Sequence, residues 1–125
     1  MKTLSFIAAI IIILHGLIHL MGTVTYMKLG AVQGLTYKTI LLGGLWDLGE
    51  GGISAYGALW AIAAIGFVVS AIALLAGWEW YRPVLLGAAV FSLALTALDW
   101  KVASAGAILN IIILAWLWLA PNIVK

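Results

Sequence analysis

The chain lacks cysteine altogether and carries very little charge. Its 125 residues include no Cys, two Pro, six Lys or Arg and four Asp or Glu. The absence of Cys excludes disulfides, thiolate metal sites, iron–sulfur clusters and cysteine nucleophiles. Only 8% of the residues are charged, whereas a soluble domain carries about 25%. The composition therefore excludes a soluble globular protein, and it also excludes a disordered one, which needs low hydrophobicity and high net charge.

Positive charge is also too sparse for nucleic-acid binding. The formal net charge is +2 and no two basic residues are adjacent, so a basic patch that could neutralise phosphates is missing. Two thirds of the chain (66%) is apolar instead, and its mean hydropathy is +1.25. These values predict an integral membrane protein whose main surroundings are the lipid bilayer.

Four apolar stretches are long enough to cross that bilayer. About 20 residues of helix span about 30 Å of hydrocarbon, and the stretches cover about residues 4–21, 53–76, 80–98 and 102–120. None alternates in polarity as the strands of a membrane barrel do. The first also resembles a signal peptide, but it is longer than usual and no A-x-A-like site ends it, so we expect a retained helix. The sequence predicts an all-α, polytopic transmembrane four-helix bundle, up-down-up-down, as a single domain over residues 1–125.

The segment between the first two predicted helices is unusually long and rich in glycine. It covers residues 22–52, and a structureless connection of that length is uncommon. Its apolar part, residues 38–48, is too short to span a membrane. We expect an interfacial or re-entrant helix here, lying as a lid over one end of the bundle.

Four spans place both termini on one side of the membrane, here called the terminal side, and residues 22–52 on the other, the loop side. Positively charged residues favour the cytoplasm, but each side holds three, so the count does not decide the orientation. The terminal side has Lys2, Arg82 and Lys125, and the loop side has Lys28, Lys38 and Lys101. We expect both termini to lie in the cytoplasm.

Aromatic residues lie near the ends of the predicted spans. Trp and Tyr prefer the level of the lipid headgroups, so we interpret these residues as two membrane-anchoring belts. The terminal side has Trp78, Trp80, Tyr81, Trp116 and Trp118, and the loop side has Tyr26, Tyr37, Trp46, Tyr56, Trp60 and Trp100.

Polar residues inside the spans are concentrated in the half that faces the loop side. His15 and His19 share one face of the first helix, because residues i and i+4 are neighbours on a helix. Asn110 lies at nearly the depth of His15, and Thr96 and Asp99 end the third helix on the loop side. Polar groups in hydrocarbon usually face the bundle interior or a wet cavity. We therefore expect these five residues to surround one polar vestibule under the segment 22–52.

The pair His15-x-x-x-His19 allows several kinds of chemistry. Two imidazoles at this spacing can bind one transition metal, serve as a haem ligand, relay protons, or simply hydrogen-bond within the structure. The zinc-protease pattern H-E-x-x-H fails, because Gly16 stands where its glutamate should be. A third metal ligand would have to come from Asp47, Glu50, Asp99, Asn110, water or another chain.

The same residues carry a resemblance to known proteins. Residues 14–20, Leu-His-Gly-Leu-Ile-His-Leu, resemble a first-helix motif of small four-helix bacterial membrane proteins with no established activity. The last hairpin is also similar, through Asp99, Lys101, Gly106 and Asn110, and the middle matches only in hydropathy and in Gly44-Leu45-Trp46. A looser similarity, in architecture alone, is to DoxX-like proteins. The resemblance implies the fold and a location in the bacterial inner membrane, but no reaction.

Three classes of function remain open. Stripes of small residues, among them Gly66, Ser70 and Gly106, suit helix packing within the chain or against another subunit, and the short loops leave no domain for a soluble substrate. We therefore favour an accessory or scaffold subunit of a larger membrane assembly, respiratory or photosynthetic, with other subunits or further copies as partners. The alternatives are a metal or haem site on His15 and His19 with a redox or proton-handling role, and a minimal oligomeric transporter or channel. No nucleophile-elbow, Walker or dinucleotide motif occurs, so we assign no catalytic residue and do not expect an enzyme.

Overall fold

Four long helices make up most of the structure. The computed structural model describes residues 2–32 and 35–123. The helices are α1 (Lys2–Tyr26), α2 (Gly49–Ala76), α3 (Tyr81–Leu98) and α4 (Trp100–Ile123), and two short strands, β1 (Ile40–Leu41) and β2 (Trp46–Asp47), lie between α1 and α2. Within the described residues, each of these four helices is long and apolar enough to cross a membrane. The predicted all-α transmembrane fold is confirmed.

The helices begin and end close to the predicted limits, except around the glycines that flank the connecting segment. α1 continues past residue 21 to Tyr26, and α2 begins at Gly49 instead of at residue 53. Gly22 does not end α1, because its missing side chain admits the ring of Trp60; a Cβ at this position would lie 3.0 Å from Trp60 Cδ2. Packing against α2 thus keeps Gly22 inside a helix, although the low helix propensity of glycine would predict a loop there.

Consecutive helices pack antiparallel, α1 on α2, α2 on α3 and α3 on α4. The start of α1 and the end of α4 therefore share one end of the bundle, as an up-down-up-down order requires. α1 and α4 also meet, through the side chain of His15 and the neighbouring Asn110 and Gly106. Lys125, which the sequence places on the terminal side, lies outside the described residues.

Small residues allow the close approach of these helices. A Cβ added to Gly16 of α1 would lie 2.9 Å from the Cβ of Phe67 and 3.2 Å from the carbonyl oxygen of Ala64, both in α2. A Cβ at Gly66 would lie 3.1 Å from that of Ala88 in α3. In a bilayer, such contacts supply the dispersion energy that holds helices together. These glycines therefore serve packing within the chain.

The connecting segment corrects one prediction, because the helix found within residues 38–48 is a single 3₁₀ turn, Leu42–Gly44, and not an interfacial helix. Instead β1 and β2 pair antiparallel, with Ile40 opposite Asp47 and Leu41 opposite Trp46. The turn between them has φ angles of 56° at Leu42, 66° at Gly43 and 103° at Gly44. Three consecutive residues with positive φ cannot continue a right-handed helix. Leu41 anchors the hairpin with 1% exposure, whereas Leu45 at its tip is 88% exposed.

The aromatic belt on the loop side also needs correction. Tyr26, Tyr56 and Trp60 are 3%, 3% and 7% exposed, so they belong to the core of the bundle and not to the headgroup level. These residues lie on helix faces that point inward, and their position near the end of a span in the sequence does not show which way they face. At the other end, Trp78 and Trp80 stack with ring centroids 5.5 Å apart and remain about half exposed, as a belt requires. Tyr81, predicted for the same belt, is buried in the core instead.

Candidate functional site

Four polar side chains from three helices meet in the centre of the bundle. His15 and His19 come from α1, Ser92 from α3 and Asn110 from α4; we call these four residues the polar core. Their exposed fractions are 3%, 1%, 0% and 0%. Thr96, one turn beyond Ser92 on α3, borders the polar core and is also buried.

The polar core is held by direct hydrogen bonds. His15 Nε2 lies 2.9 Å from Asn110 Oδ1, and Asn110 Nδ2 lies 2.8 Å from Ser92 Oγ. Ser92 Oγ in turn contacts His19 Nε2. His19 Nδ1 lies 2.7 Å from the backbone oxygen of His15. The bonds therefore form a closed circuit that starts at the side chain of His15 and returns to its backbone.

One assignment of protons satisfies every bond in this circuit. A backbone carbonyl only accepts, so Nδ1 of a neutral His19 carries its proton and Nε2 accepts from the hydroxyl of Ser92. Ser92 Oγ then accepts from the amide group of Asn110, and Asn110 Oδ1 accepts from Nε2–H of His15. Thr96 agrees with this orientation, because its hydroxyl donates to the carbonyl of Ser92 at 2.9 Å while its oxygen faces Asn110 Nδ2 at 3.5 Å.

Helix periodicity explains how these residues reach one another. His15 and His19 are four residues apart on α1, and Ser92 and Thr96 are four apart on α3, so each pair presents one face. Gly106 lies one turn before Asn110 on α4, and a Cβ at Gly106 would be only 3.8 Å from Cε1 of His15. A small residue at that point lets α4 come close enough to α1 for the bond between His15 and Asn110.

The polar core is packed and does not line a wet vestibule. Its four side chains touch one another directly and expose at most 3% of their surface. The prediction of one polar vestibule around these residues is therefore wrong in this respect. The physical reason is that these side chains hydrogen-bond directly to one another, so that the circuit closes without a bridging water.

Asp99 belongs to a second polar cluster, nearer the loop side. Its carboxylate accepts hydrogen bonds from the hydroxyl of Tyr26 and, at 2.6 Å, from Nζ of Lys38. The Asp99 side chain is 2% exposed and that of Lys38 is 31% exposed. We call Tyr26, Lys38 and Asp99 the Asp99 clasp, because Lys38 lies on the connecting segment and thereby attaches it to the bundle.

A row of aromatic rings connects the Asp99 clasp with the polar core. The ring centroids are 5.5 Å apart between Tyr26 and Tyr56, 5.9 Å between Tyr56 and Trp60, and 5.0 Å between Trp60 and His19. His15 and His19 meet edge to face at 4.7 Å, and His15 packs on Phe67 at 4.8 Å. Asp99 is thus coupled to the histidines through packing rather than through a shared cavity.

The polar core does not fit a metal ion or a haem in this arrangement. Both ring nitrogens of His19 and the Nε2 of His15 are engaged in hydrogen bonds, which leaves Nδ1 of His15 as the ring nitrogen without a bond in the described part of the chain. Among the described residues, no three His, Asp or Glu side chains group so as to hold a metal ion. A haem would also need open space at the imidazoles, which the packed side chains occupy.

Sequence reasoning brought His15, His19, Thr96 and Asn110 together by depth but missed Ser92, which makes two of the four bonds of the circuit. One signal was present, because Ser92 and Thr96 are the two aliphatic hydroxyl residues of α3 and lie one turn apart. Lys38 was also missed as a partner of Asp99, since the pair is 61 residues apart in the chain.

Asp47, between the candidate spans of α1 and α2, has a shifted pKa. Its carboxylate accepts a hydrogen bond from the backbone N–H of Gly49 at 3.0 Å. This bond, with a further one from Thr39, lowers the pKa of Asp47 below its usual value. The charged carboxylate thereby stabilises the junction between β2 and the first turn of α2.

Comparison with models of protein families, with curated proteins and with solved structures finds no match to this chain. The resemblance at residues 14–20 therefore stays a prediction, and any function has to be argued from the geometry described above.

Proposed function

We propose that this chain is an accessory or scaffold subunit of a larger membrane assembly, of the respiratory or photosynthetic kind, in the bacterial inner membrane. Both termini would face the cytoplasm. The observation that carries the proposal is the closed hydrogen-bond circuit of the polar core. Four polar side chains that hydrogen-bond to one another at the centre favour one packing of the helices around them, and the surface left for other molecules is the apolar outside.

That outside is extensive on every helix. The exposed large apolar side chains of the helices range from 37% to 81% in exposure, as they would against lipid or against the helices of another subunit. Four of them are closely matched in exposure, one on each helix: Ile18 (57%), Ile65 (63%), Val90 (52%) and Ile112 (56%). They provide equivalent positions from which to detect a neighbouring protein.

Site-specific photo-crosslinking in the native membrane tests the proposal. A photoreactive phenylalanine analogue is placed singly at each of these four positions, in a chain expressed at its natural level. A subunit should give a crosslink of one defined mass from one or two adjacent helices and none from the opposite face. Lipid-only surroundings at all four positions, together with a single small species in mild detergent, would contradict the proposal.

A proton-handling role for the polar core is the second candidate. Its support is that imidazole, hydroxyl and amide groups are linked continuously, and that the aromatic row extends toward the carboxylate of Asp99. Proton flux into liposomes that contain the purified protein, measured with a pH-sensitive dye, should then fall when Ser92→Ala opens the circuit. Equal flux for the two proteins would contradict this candidate. The packed polar core gives no support to a transport path through a single copy.

A further inference from the structure

A separate cavity lies where α1 enters the connecting segment. Its volume is about 310 Å³, and its walls include Thr25, Lys28, Leu29, Val32, Leu35 and Tyr37; we call it the Lys28 pocket. Sites for small ligands have volumes of about 300–1,000 Å³. The candidate span of α1 ends at Tyr26, so the Lys28 pocket lies at the level where lipid headgroups meet water.

The backbone at Lys28 is held in an unusual conformation. Lys28 has a φ of 56°, and the bonds from Lys28 N to Thr25 O and from Leu29 N to Val24 O close the helix as a Schellman motif. α2 ends with the same pattern, but with Gly77 at the left-handed position. A left-handed conformation disfavours residues with a Cβ, and such strain tends to occur at functional sites. Lys28 therefore occupies a position where a glycine, as at Gly77, would be less strained.

The Lys28 side chain supplies positive charge to the pocket. Its Nζ lies 4.4 Å from the centroid of the Tyr37 ring and 3.7 Å from Oε1 of Glu50. The side chains of Lys28 and Glu50 are 59% and 82% exposed, so this ion pair is weak and readily exchanged for a stronger anion. Tyr37 orients the ammonium group without neutralising it.

Thr25 adds a polar group that lacks a partner. It is 5% exposed, and its hydroxyl oxygen makes no hydrogen bond among the described residues. A buried hydroxyl without a partner is destabilising. Its oxygen has almost no accessible surface in this structure, so the Thr25 side chain would have to rotate before it could donate to an oxygen of a bound ligand. The walls at Leu29, Val32 and Leu35 are apolar, so the ligand they suit is an amphiphile rather than a free ion.

We propose that the Lys28 pocket binds the headgroup of an acidic phospholipid. Lys28 would pair with the phosphate, Thr25 would donate to a phosphate or ester oxygen, and the apolar wall would contact the glycerol and the first methylenes. This site is distinct from the polar core and does not depend on the proposed subunit role.

Lipid retention in native mass spectrometry tests the proposal. The full chain is purified in mild detergent and titrated with phosphatidylglycerol or with phosphatidylcholine of the same acyl chains. Lys28→Gln should weaken phosphatidylglycerol retention by about fivefold, the effect of one basic residue at an anionic headgroup, and leave phosphatidylcholine unchanged. The matched control is Lys101→Gln, which removes an exposed lysine elsewhere on the loop side. Equal losses in the two variants, or no loss in Lys28→Gln, would overturn the proposal.

Two further variants separate binding from folding. Glu50→Gln removes the competing anion, so it should strengthen phosphatidylglycerol retention. Lys28→Gly relaxes the left-handed backbone, so its thermal stability in detergent should hold or rise while retention of the lipid falls. A loss of stability in Lys28→Gly with unchanged retention would assign the lysine to structure and overturn the site. Displacement of the lipid by an equal concentration of glycerol phosphate would overturn the assignment to a lipid.

Discussion

At the scale of single residues, the polar core depends on a match between donors and acceptors. Ser92 is central, because its hydroxyl donates to His19 and accepts from Asn110. Each member of the circuit has its partner in place, and within a bilayer an unpaired group would have no water to replace it. Removing one member therefore affects groups on two other helices.

We expect Ser92→Ala and Asn110→Leu each to lower the free energy of unfolding by about 1 kcal/mol, the usual range for hydrogen bonds between membrane helices. Because both changes break the same circuit, the double variant should lose less than the sum, by at least about 0.5 kcal/mol. Denaturant titration in detergent micelles, followed by circular dichroism, measures these values. Ser104→Ala, on α4 but outside the circuit, is the control; additive losses would show that the circuit is not coupled.

Asp47 gives a prediction for pH dependence. The pKa of Asp47 is lower in the folded chain than in the unfolded chain, where it is about 3.9. The charged carboxylate therefore stabilises the fold at pH values above about 3.9, and this stabilisation is lost as the pH falls through the lower pKa of the folded chain. The amide resonance of Gly49 should titrate with a midpoint below about 3.9 in solution NMR. Asp47→Asn should abolish that titration, and a midpoint above the unfolded value would contradict the bond to Gly49.

At the scale of elements, helix packing and the attachment of the connecting segment determine the architecture. Gly16 allows α1 to lie directly on α2. The Asp99 clasp fixes the segment after α1 against the end of α3, since Lys38 pairs with the buried Asp99 carboxylate. Both contacts join parts of the chain that are far apart in sequence.

Replacing a glycine by alanine should have opposite effects on stability at Gly16 of α1 and at Gly87 of α3. A Cβ at Gly16 meets Phe67 and the carbonyl of Ala64, so Gly16→Ala should destabilise the fold by about 1–3 kcal/mol through overpacking. Gly87 on α3 has open space around it, so Gly87→Ala should stabilise by about 0.5–1 kcal/mol, the helix preference of alanine. Thermal unfolding in detergent compares the two; equal effects would argue against the close α1–α2 contact.

Lys38→Met should release the connecting segment. It leaves the Asp99 carboxylate buried without its cation, which is strongly unfavourable, so hydrogen exchange at residues 38–48 should accelerate. Lys101→Met serves as the control, because Lys101 is exposed on the same side and should leave exchange unchanged. Adding Asp99→Asn to Lys38→Met should restore part of the stability; no recovery would show that charge burial is not the cause.

At the scale of the whole molecule, the four antiparallel helices fix which residues share a membrane side. Both Lys2 and Glu79 lie at the terminal side, at the start of α1 and between α2 and α3, whereas Glu50 and Lys101 begin α2 and α4 on the loop side. The outer surface is apolar and the polar groups lie at the centre, which is the arrangement a bilayer imposes.

Cysteine accessibility tests this arrangement directly, because the natural chain has no Cys to remove. Single Lys2→Cys and Glu79→Cys variants should react with a membrane-impermeant maleimide from one side of the membrane. Glu50→Cys and Lys101→Cys should react from the other side. If the proposed orientation holds, the first pair is protected in intact cells until the inner membrane is opened. Labelling of Lys2→Cys and Lys101→Cys from the same side would contradict the four-span topology.

The sequence alone determined the fold class and the approximate helices. Hydrocarbon thickness requires about 20 apolar residues per span, and the four stretches meet that length. It also predicted that His15 and Asn110 lie at nearly the same depth, and that His19, Thr96 and Asp99 lie in the same half of the membrane, because the rise per residue of a helix is fixed. Depth, however, carries no information on rotation about the helix axis.

Only the tertiary structure decided which way each helix faces. That rotation turned Tyr26, Tyr56 and Trp60 into the core, brought in Ser92 to close the circuit, and placed Asp99 with Lys38 rather than with the histidines. It also filled the space predicted to be a vestibule. The reason is that packing and hydrogen-bond geometry between distant segments select one rotation for each helix, whereas hydropathy constrains only its position along the membrane normal.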